Sequence, residues 1–144
     1  MSDLIPDSNP DTRLRDILRR ARTIALVGAS AKPERPSHGV MTYLQAAGYR
    51  VIPVNPGLAG RTLLGERVYA RLQEIPEPID LVDIFRKSAD VPPIVEDAIA
   101  IGAKTVWMQL GIRNEAAARQ AADAGLEVVE DRCTKIEHRR FAPG

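Results

Sequence analysis

Cysteine is almost absent from the 144-residue sequence: Cys133 stands alone, so no intrachain disulfide exists and no multi-thiolate metal site forms within one chain. That usage suits a reducing compartment, and a cytoplasmic location is expected. The two histidines, His38 and His138, show no metal-ligand spacing with Cys133, so no metal is expected. Excess charge is missing as well, with 20 Lys and Arg against 19 Asp and Glu. Without a basic field a polyanion is not held non-specifically, which argues against nucleic acid as a partner. No stretch nears the roughly 20 apolar residues that span a bilayer. Met1–Pro10 lacks a basic start followed by an apolar run, so membrane insertion and secretion are both disfavoured.

What is present is the ordinary balance of a soluble globular protein, 44% hydrophobic and 27% charged. The length suits one domain over residues 1–144, long enough to bury about two-thirds of its unfolded surface. Asn9, Pro10 and Asp11 open a helix, with Asn9 as its cap and Leu14, Ile17, Leu18 and Ala21 at helical spacing. Aliphatic runs without polar alternation follow at Thr23–Val27, Val51–Val54, Leu81–Phe85, Thr105–Leu110 and Leu126–Val129, as in parallel strands buried on both faces. Pro53 removes a ladder hydrogen bond and predicts a bulge or a strand end.

Between these runs, Ser37 caps a helix burying Val40, Met41, Leu44 and Ala47, and Ser88 or Asp90 starts another that places Ile94, Val95, Ala98 and Ile101 on one face. Asn114 caps an alanine-rich helix. Three times a helix closes on glycine (Gly48, Gly102, Gly125) just ahead of a strand, the rhythm of right-handed βαβ units. The expected architecture is therefore α/β: a three-layer Rossmann-like fold with a five-stranded parallel sheet in the order 3-2-1-4-5 and an extra N-terminal helix packed alongside. Residues 55–78, rich in Gly and Pro, read as a long crossover with short local structure, and Arg132–Arg140 reads as a basic tail.

In such a sheet, ligands sit beyond the carboxyl ends of the strands at the topological switch point, where the first strand runs into Gly28-Ala29-Ser30. Glycine lets backbone approach a phosphate, Ser30 offers a hydroxyl, and the following helix directs free N–H groups and the positive end of its dipole outward. The spacing departs from G-x-G-x-x-G: Ser30 holds the second glycine position, and Gly39 comes late. An acid that would read ribose hydroxyls is absent after Val54, where Asn55 and Pro56 follow, which speaks against NAD. Lys32, Arg35 and Arg61 read singly as solvated charges, but together they suit a more highly phosphorylated nucleotide.

Other residues carry weaker signals. His38 and His138 read as polar surface or capping groups, and no catalytic residue is expected. Asp83, inside an apolar run, is paired, reaches solvent, or has a raised pKa. Trp107 reads as core or interface packing, and Gln109 at a strand end is placed to touch a ligand. Cys133 reads as an inert, partly buried thiol, with a mixed disulfide to a cofactor thiol as the alternative. Trp107 and the alanine-rich helix also suggest a homodimer.

Val27-Gly28-Ala29-Ser30, Arg35-Pro36-Ser37-His38, Val51-Ile52-Pro53-Val54-Asn55-Pro56, Asp80-Leu81-Val82-Asp83-Ile84-Phe85-Arg86 and Val129-Glu130-Asp131-Arg132-Cys133 together resemble the small stand-alone CoA-binding proteins. That family is similar to the N-terminal CoA-binding domain of the succinyl-CoA synthetase alpha subunit, and the resemblance runs from about Leu14 to Phe141. It implies coenzyme A, or an acyl-CoA, as ligand: Gly28, Ala29 and Ser30 on the pyrophosphate, Lys32 and Arg35 facing phosphates, and Val54, Asn55 and Pro56 flanking the adenosine. Phe85 and Arg86 would border the pantetheine, with Ser37, His38, Arg61 and Gln109 completing the cofactor-binding set. The synthetases pass a phosphoryl group through a histidine in a second domain. This sequence ends at Gly144 without one, so acyl-CoA synthesis by the chain alone is not expected. Two alternatives stay open: an NAD(P)-dependent oxidoreductase or sensor, and a CoA-binding subunit that works with an unidentified protein partner in a multi-chain synthetase.

Overall fold

The computed structural model describes residues 10–141, so Asn9, the expected cap of the first helix, lies outside the described residues. Helix α1 (Pro10–Arg20) buries Leu14, Ile17 and Leu18 and leads into strand β1 (Thr23–Val27). Helix α2 (Pro36–Ala46), strand β2 (Arg50–Val54), a hairpin of β3 (Thr62–Leu63) and β4 (Glu66–Arg67), and strand β5 (Leu81–Ile84) follow. The chain continues through α3 (Val91–Ala100), β6 (Thr105–Met108), α4 (Glu115–Asp123), β7 (Glu127–Val129) and α5 (Thr134–Phe141). Among the described residues no helix is long and apolar enough to cross a membrane.

Five strands form a parallel sheet in the order β2-β1-β5-β6-β7. In the numbering of the five sequence runs this is 2-1-3-4-5, which corrects the expected 3-2-1-4-5: the third strand pairs with the first and not with the second. The reason lies in the crossover. Tyr69 forms a parallel bridge with Val54, its N–H donating to the Pro53 carbonyl at 3.1 Å while its own carbonyl accepts from Asn55 N–H at 2.9 Å. The outer edge of β2 is thereby occupied, and the chain returns to the free side of β1, where Phe85 N–H donates to the Val27 carbonyl at 2.8 Å.

The same contact explains why Pro53 produces no bulge and β2 keeps unbroken register with β1 through it. In a parallel strand the N and O of one residue point to the same side. Pro53 therefore turns its missing N–H to the outer edge, away from β1.

The sheet is covered on both faces. Ile24, Leu26, Val51, Leu81 and Trp107 pack with the buried faces of α1 and α2 and with Cys133. Ala25, Ile52, Val82, Ile84 and Val106 pack against Val91, Val95 and Ala98 of α3 and Ala117 and Ala121 of α4. Trp107 is fully buried and its indole N–H donates to the Arg132 carbonyl at 2.8 Å, so it is core and presents no surface to a second copy. The segment read as a basic tail is mostly α5, which covers the sheet beside α1 and α2.

Two helix starts differ in detail. Asn114 caps α4 as expected, its Oδ1 accepting from Ala117 N–H at 3.0 Å. Ser37 is not the cap of α2: Pro36 takes the first turn, Arg35 holds the cap position without a side-chain bond, and Ser37 is buried inside the helix.

Candidate functional site

Because β1 is flanked by β2 on one side and β5 on the other, the switch point of the sheet lies between β1 and β5. At that point the chain leaves β1 through Gly28, whose φ of +91° is left-handed. A Cβ there would stand 2.9 Å from the Phe85 carbonyl oxygen and 3.2 Å from Arg86 Cδ, so glycine is required both by the turn and by the approach of the neighbouring strand end. Gly28 N–H and Ala29 N–H both donate to the Val54 carbonyl, at 3.0 and 3.3 Å. Asn55 closes the loop: its Nδ2 donates to the Ala29 carbonyl at 2.7 Å and its Oδ1 accepts from Gly57 N–H at 2.8 Å. Ser30 Oγ accepts from Lys32 N–H at 3.1 Å, a local turn that swings Lys32 outward.

An open cleft of about 770 Å³ lies over this loop, a volume suited to a cofactor-sized ligand. Gly28, Ala29, Ser30, Lys32, Arg35, Ser37, Asn55, Phe85, Arg86 and Gln109 line it. Val54 and Pro56 line a neighbouring cavity of about 300 Å³ that shares Gly28, Asn55 and Arg86 with the first. His38 and Arg61 line neither. His38 lies a residue deeper in α2, and Arg61 is tied by its backbone to Leu58 and Val68 in the hairpin region.

The electrostatics of the larger cleft are one-sided. Among the described residues no Asp or Glu lines it, the first turn of α2 borders it through Pro36 and Ser37, and Lys32 and Arg35 stand exposed at its mouth. Arg86 is restrained by an ion pair with Asp90 at 3.1 Å. A helix start together with Lys32 and Arg35, which pair with no carboxylate among the described residues, favours a polyanion in this cleft.

Beneath the cleft is a buried polar chain. Asp83 is fully buried in β5, and burial pushes its carboxyl up to about 8, against a smaller downward pull from the Thr134 hydroxyl. Thr134 Oγ1 lies 2.9 Å from Asp83 Oδ2 and 3.1 Å from Gln109 Oε1, and Thr134 N–H donates to the same Oε1 at 3.0 Å. The backbone donor fixes which end of Gln109 is oxygen, so its amide nitrogen belongs on the other side.

Sequence reasoning missed the apolar rim. Leu110 lines the cleft while 59% exposed, and Leu58 and Ile112 line it as well. An apolar residue just past a buried strand, next to a glycine, was the available signal. Cys133 also lines the cleft and is buried.

The segment Glu130-Asp131-Arg132 locks this rim in place. Glu130 accepts from Asn114 N–H at 3.1 Å, Asp131 from Gly111 N–H at 2.7 Å, and the Arg132 carbonyl from Trp107. The Gly111 hydrogen bond, followed by Arg113, holds the Asp131 carboxyl below the usual carboxylate range.

Comparison with known proteins places this geometry among relatives. A family model described as a CoA binding domain matches residues 22–139. The uncharacterised protein YneT of Bacillus subtilis (strain 168) is 39% identical over 131 residues, covering 90% of this chain and 96% of that protein. A solved structure of a hypothetical protein from Pyrococcus horikoshii OT3 matches with a TM-score of 0.89 at 44% identity, covering 98% of this chain and 99% of that one. The alpha subunit of an ADP-forming acetate–CoA ligase I from Pyrococcus furiosus is 30% identical over 95 residues, which is 63% of this chain and 21% of the subunit. The chain thus spans about a fifth of that ligase subunit.

Proposed function

Since the chain belongs to the CoA binding domain family, we propose that it binds coenzyme A or an acyl-CoA in the cleft over Gly28, as a binding module and not as a ligase. The observation that carries the reading is the cleft at the β1/β5 switch point, which no described carboxylate lines, with its floor of close-packed backbone and its two exposed cations, Lys32 and Arg35, that pair with no carboxylate among the described residues. In this reading the pyrophosphate lies against Gly28-Ala29-Ser30 and the start of α2, where the positive end of the helix dipole favours it. Lys32 and Arg35 meet phosphates, the 3′-phosphate included. The adenosine rests toward the side cavity of Val54 and Pro56, and the pantetheine arm runs past Phe85 and Arg86 toward Gln109. The similarity to the ligase covers a fifth of its alpha subunit, so what it supports here is binding of the coenzyme and not acyl transfer.

Calorimetric titration with CoA, dephospho-CoA and NADP tests the proposal. CoA should bind, and both removal of its 3′-phosphate and the Arg35→Ala substitution should weaken it by about tenfold, the worth of a charge-assisted hydrogen bond. Absence of CoA binding, or equal affinity for NADP, would overturn the reading.

A further inference from the structure

The chain from Asp83 through Thr134 to Gln109 ends at the cleft wall, although Asp83 itself touches nothing there. Gln109 is 5% exposed, and its Oε1 is committed to Thr134. Its amide nitrogen has no protein acceptor among the described residues and is not among the sealed, unpartnered atoms, so its N–H donors belong to the cleft. A donor held there suits a carbonyl oxygen, of which the pantetheine arm carries two amides and an acyl-CoA a further thioester. Thr134 has one hydroxyl proton and two acceptors within reach, Asp83 Oδ2 and Gln109 Oε1. Both contacts are satisfied together only when Asp83 is a neutral acid that donates to Thr134 Oγ1, leaving the Thr134 hydroxyl to donate to Gln109.

We propose that Asp83 is a positioning residue of the cleft, which in its neutral form acts through the Thr134 hydroxyl to hold the Gln109 amide with its donors toward a ligand carbonyl. The proposal rests on the CoA reading for the identity of the ligand, but the hydrogen-bond chain is independent of it. When Asp83 ionises, the Thr134 hydroxyl turns to the carboxylate, and Gln109 keeps only the bond from Thr134 N–H. The amide then loosens and affinity falls.

The titratable groups of α5 on this face of the sheet, Glu137 and His138, are engaged elsewhere. Glu137 of α5 pairs with Arg140 at 2.6 Å and Arg132 at 3.8 Å, and His138 lies 2.8 Å from the Tyr43 hydroxyl of α2. Cys133 lines the cleft itself. Burial and the Thr134 hydroxyl are what act on Asp83, and its Oδ1 has no partner among the described residues.

The test pairs Asp83→Asn with Thr134→Val. Asn keeps a donor to Thr134 Oγ1 at every pH, so it reproduces the neutral acid. CoA affinity of the native protein should fall about fivefold between pH 6 and pH 9 beyond any change in Asp83→Asn, the loss of one hydrogen bond in a network. Thr134→Val should bind more weakly by a similar factor at pH 6.

The side-chain amide signals of Gln109, followed by NMR without ligand, should shift with pH in the native protein and stay fixed in Asp83→Asn. Identical affinity profiles for the native protein and Asp83→Asn, or pH-independent Gln109 signals in both, would overturn the proposal. If CoA fails to bind at any pH while Gln109 still follows Asp83, the ligand reading fails and the positioning role stands.

Discussion

Replacing Gly28 by alanine, set against the same change at Gly39, tests whether the cleft floor is fixed by backbone proximity. At Gly28 the new methyl would meet the Phe85 carbonyl oxygen at 2.9 Å and its carbon at 3.1 Å, both backbone atoms that a side-chain rotation cannot clear. The φ of +91° adds about 1–2 kcal/mol of local strain for a residue with a Cβ. Relief of the contact requires β1 and β5 to part at their carboxyl ends, adding about 1–3 kcal/mol of overpacking. A total near 3 kcal/mol is expected in urea unfolding, read from the fluorescence of the buried Trp107. At Gly39, inside α2, a Cβ meets nothing within 4 Å and the backbone is helical, so alanine should stabilise the protein by about 0.5–1 kcal/mol. Equal effects at the two sites would refute the argument. So would a Gly28→Ala protein that keeps both native stability and CoA affinity, because the floor would then tolerate a gap between the strands.

Two further outcomes follow from the same geometry. Asn55→Ala removes one hydrogen bond that joins the loop after β1 to the turn after β2 and a second within that turn, and should cost about 2 kcal/mol in denaturant titration while lowering CoA affinity in calorimetry; a stable variant with full affinity would show that the loop holds itself. The folded-state pKa of Asp83, about 8, lies above the ordinary unfolded value near 4, so between those limits the folded state holds one more proton. Its contribution to stability is therefore complete below pH 4 and is lost by about 1.4 kcal/mol per unit as pH rises toward 8. The stability difference between Asp83→Asn and the native protein should grow in favour of the variant over that window and level off above it, and a constant difference would refute the assignment.

The alternation of apolar runs with glycine-terminated helices was enough to read the layers, because burial on both faces leaves a parallel strand little choice of composition. Strand order was not legible. It depends on whether the edge of β2 is free, and that edge is taken by Tyr69, a single bridging residue in a Gly- and Pro-rich crossover with no strand pattern of its own. Turn chemistry hid the hairpin as well: Leu64 and Gly65 both have positive φ, a tight two-residue turn, yet Leu-Gly lacks the Asn or Asp that usually announces one. Helix α5 was obscured by its charge. Its buried contacts come from Thr134 and Glu137, polar residues that a hydrophobic period does not count, with Arg140 and Arg132 compensating the buried carboxylate.

Within the cleft, the residues legible from the sequence are those whose chemistry is local, such as the glycine turn and the exposed cations. Asn55 shows what lies beyond that. After Val54 it reads as a missing acid, an argument about a ribose. In the fold its two ends are consumed by Ala29 and Gly57, so it is a brace between loops before it is any ligand contact. A carboxylate in its place would lose the donor to the Ala29 carbonyl and set negative charge against it. The lack of an acid at this position therefore follows from how the loop is built, independently of which nucleotide the cleft receives. Under the proposed CoA reading, discrimination among nucleotides would fall to groups without a protein partner among the described residues, chiefly Lys32 and Arg35 at the mouth and the amide nitrogen of Gln109 at the wall.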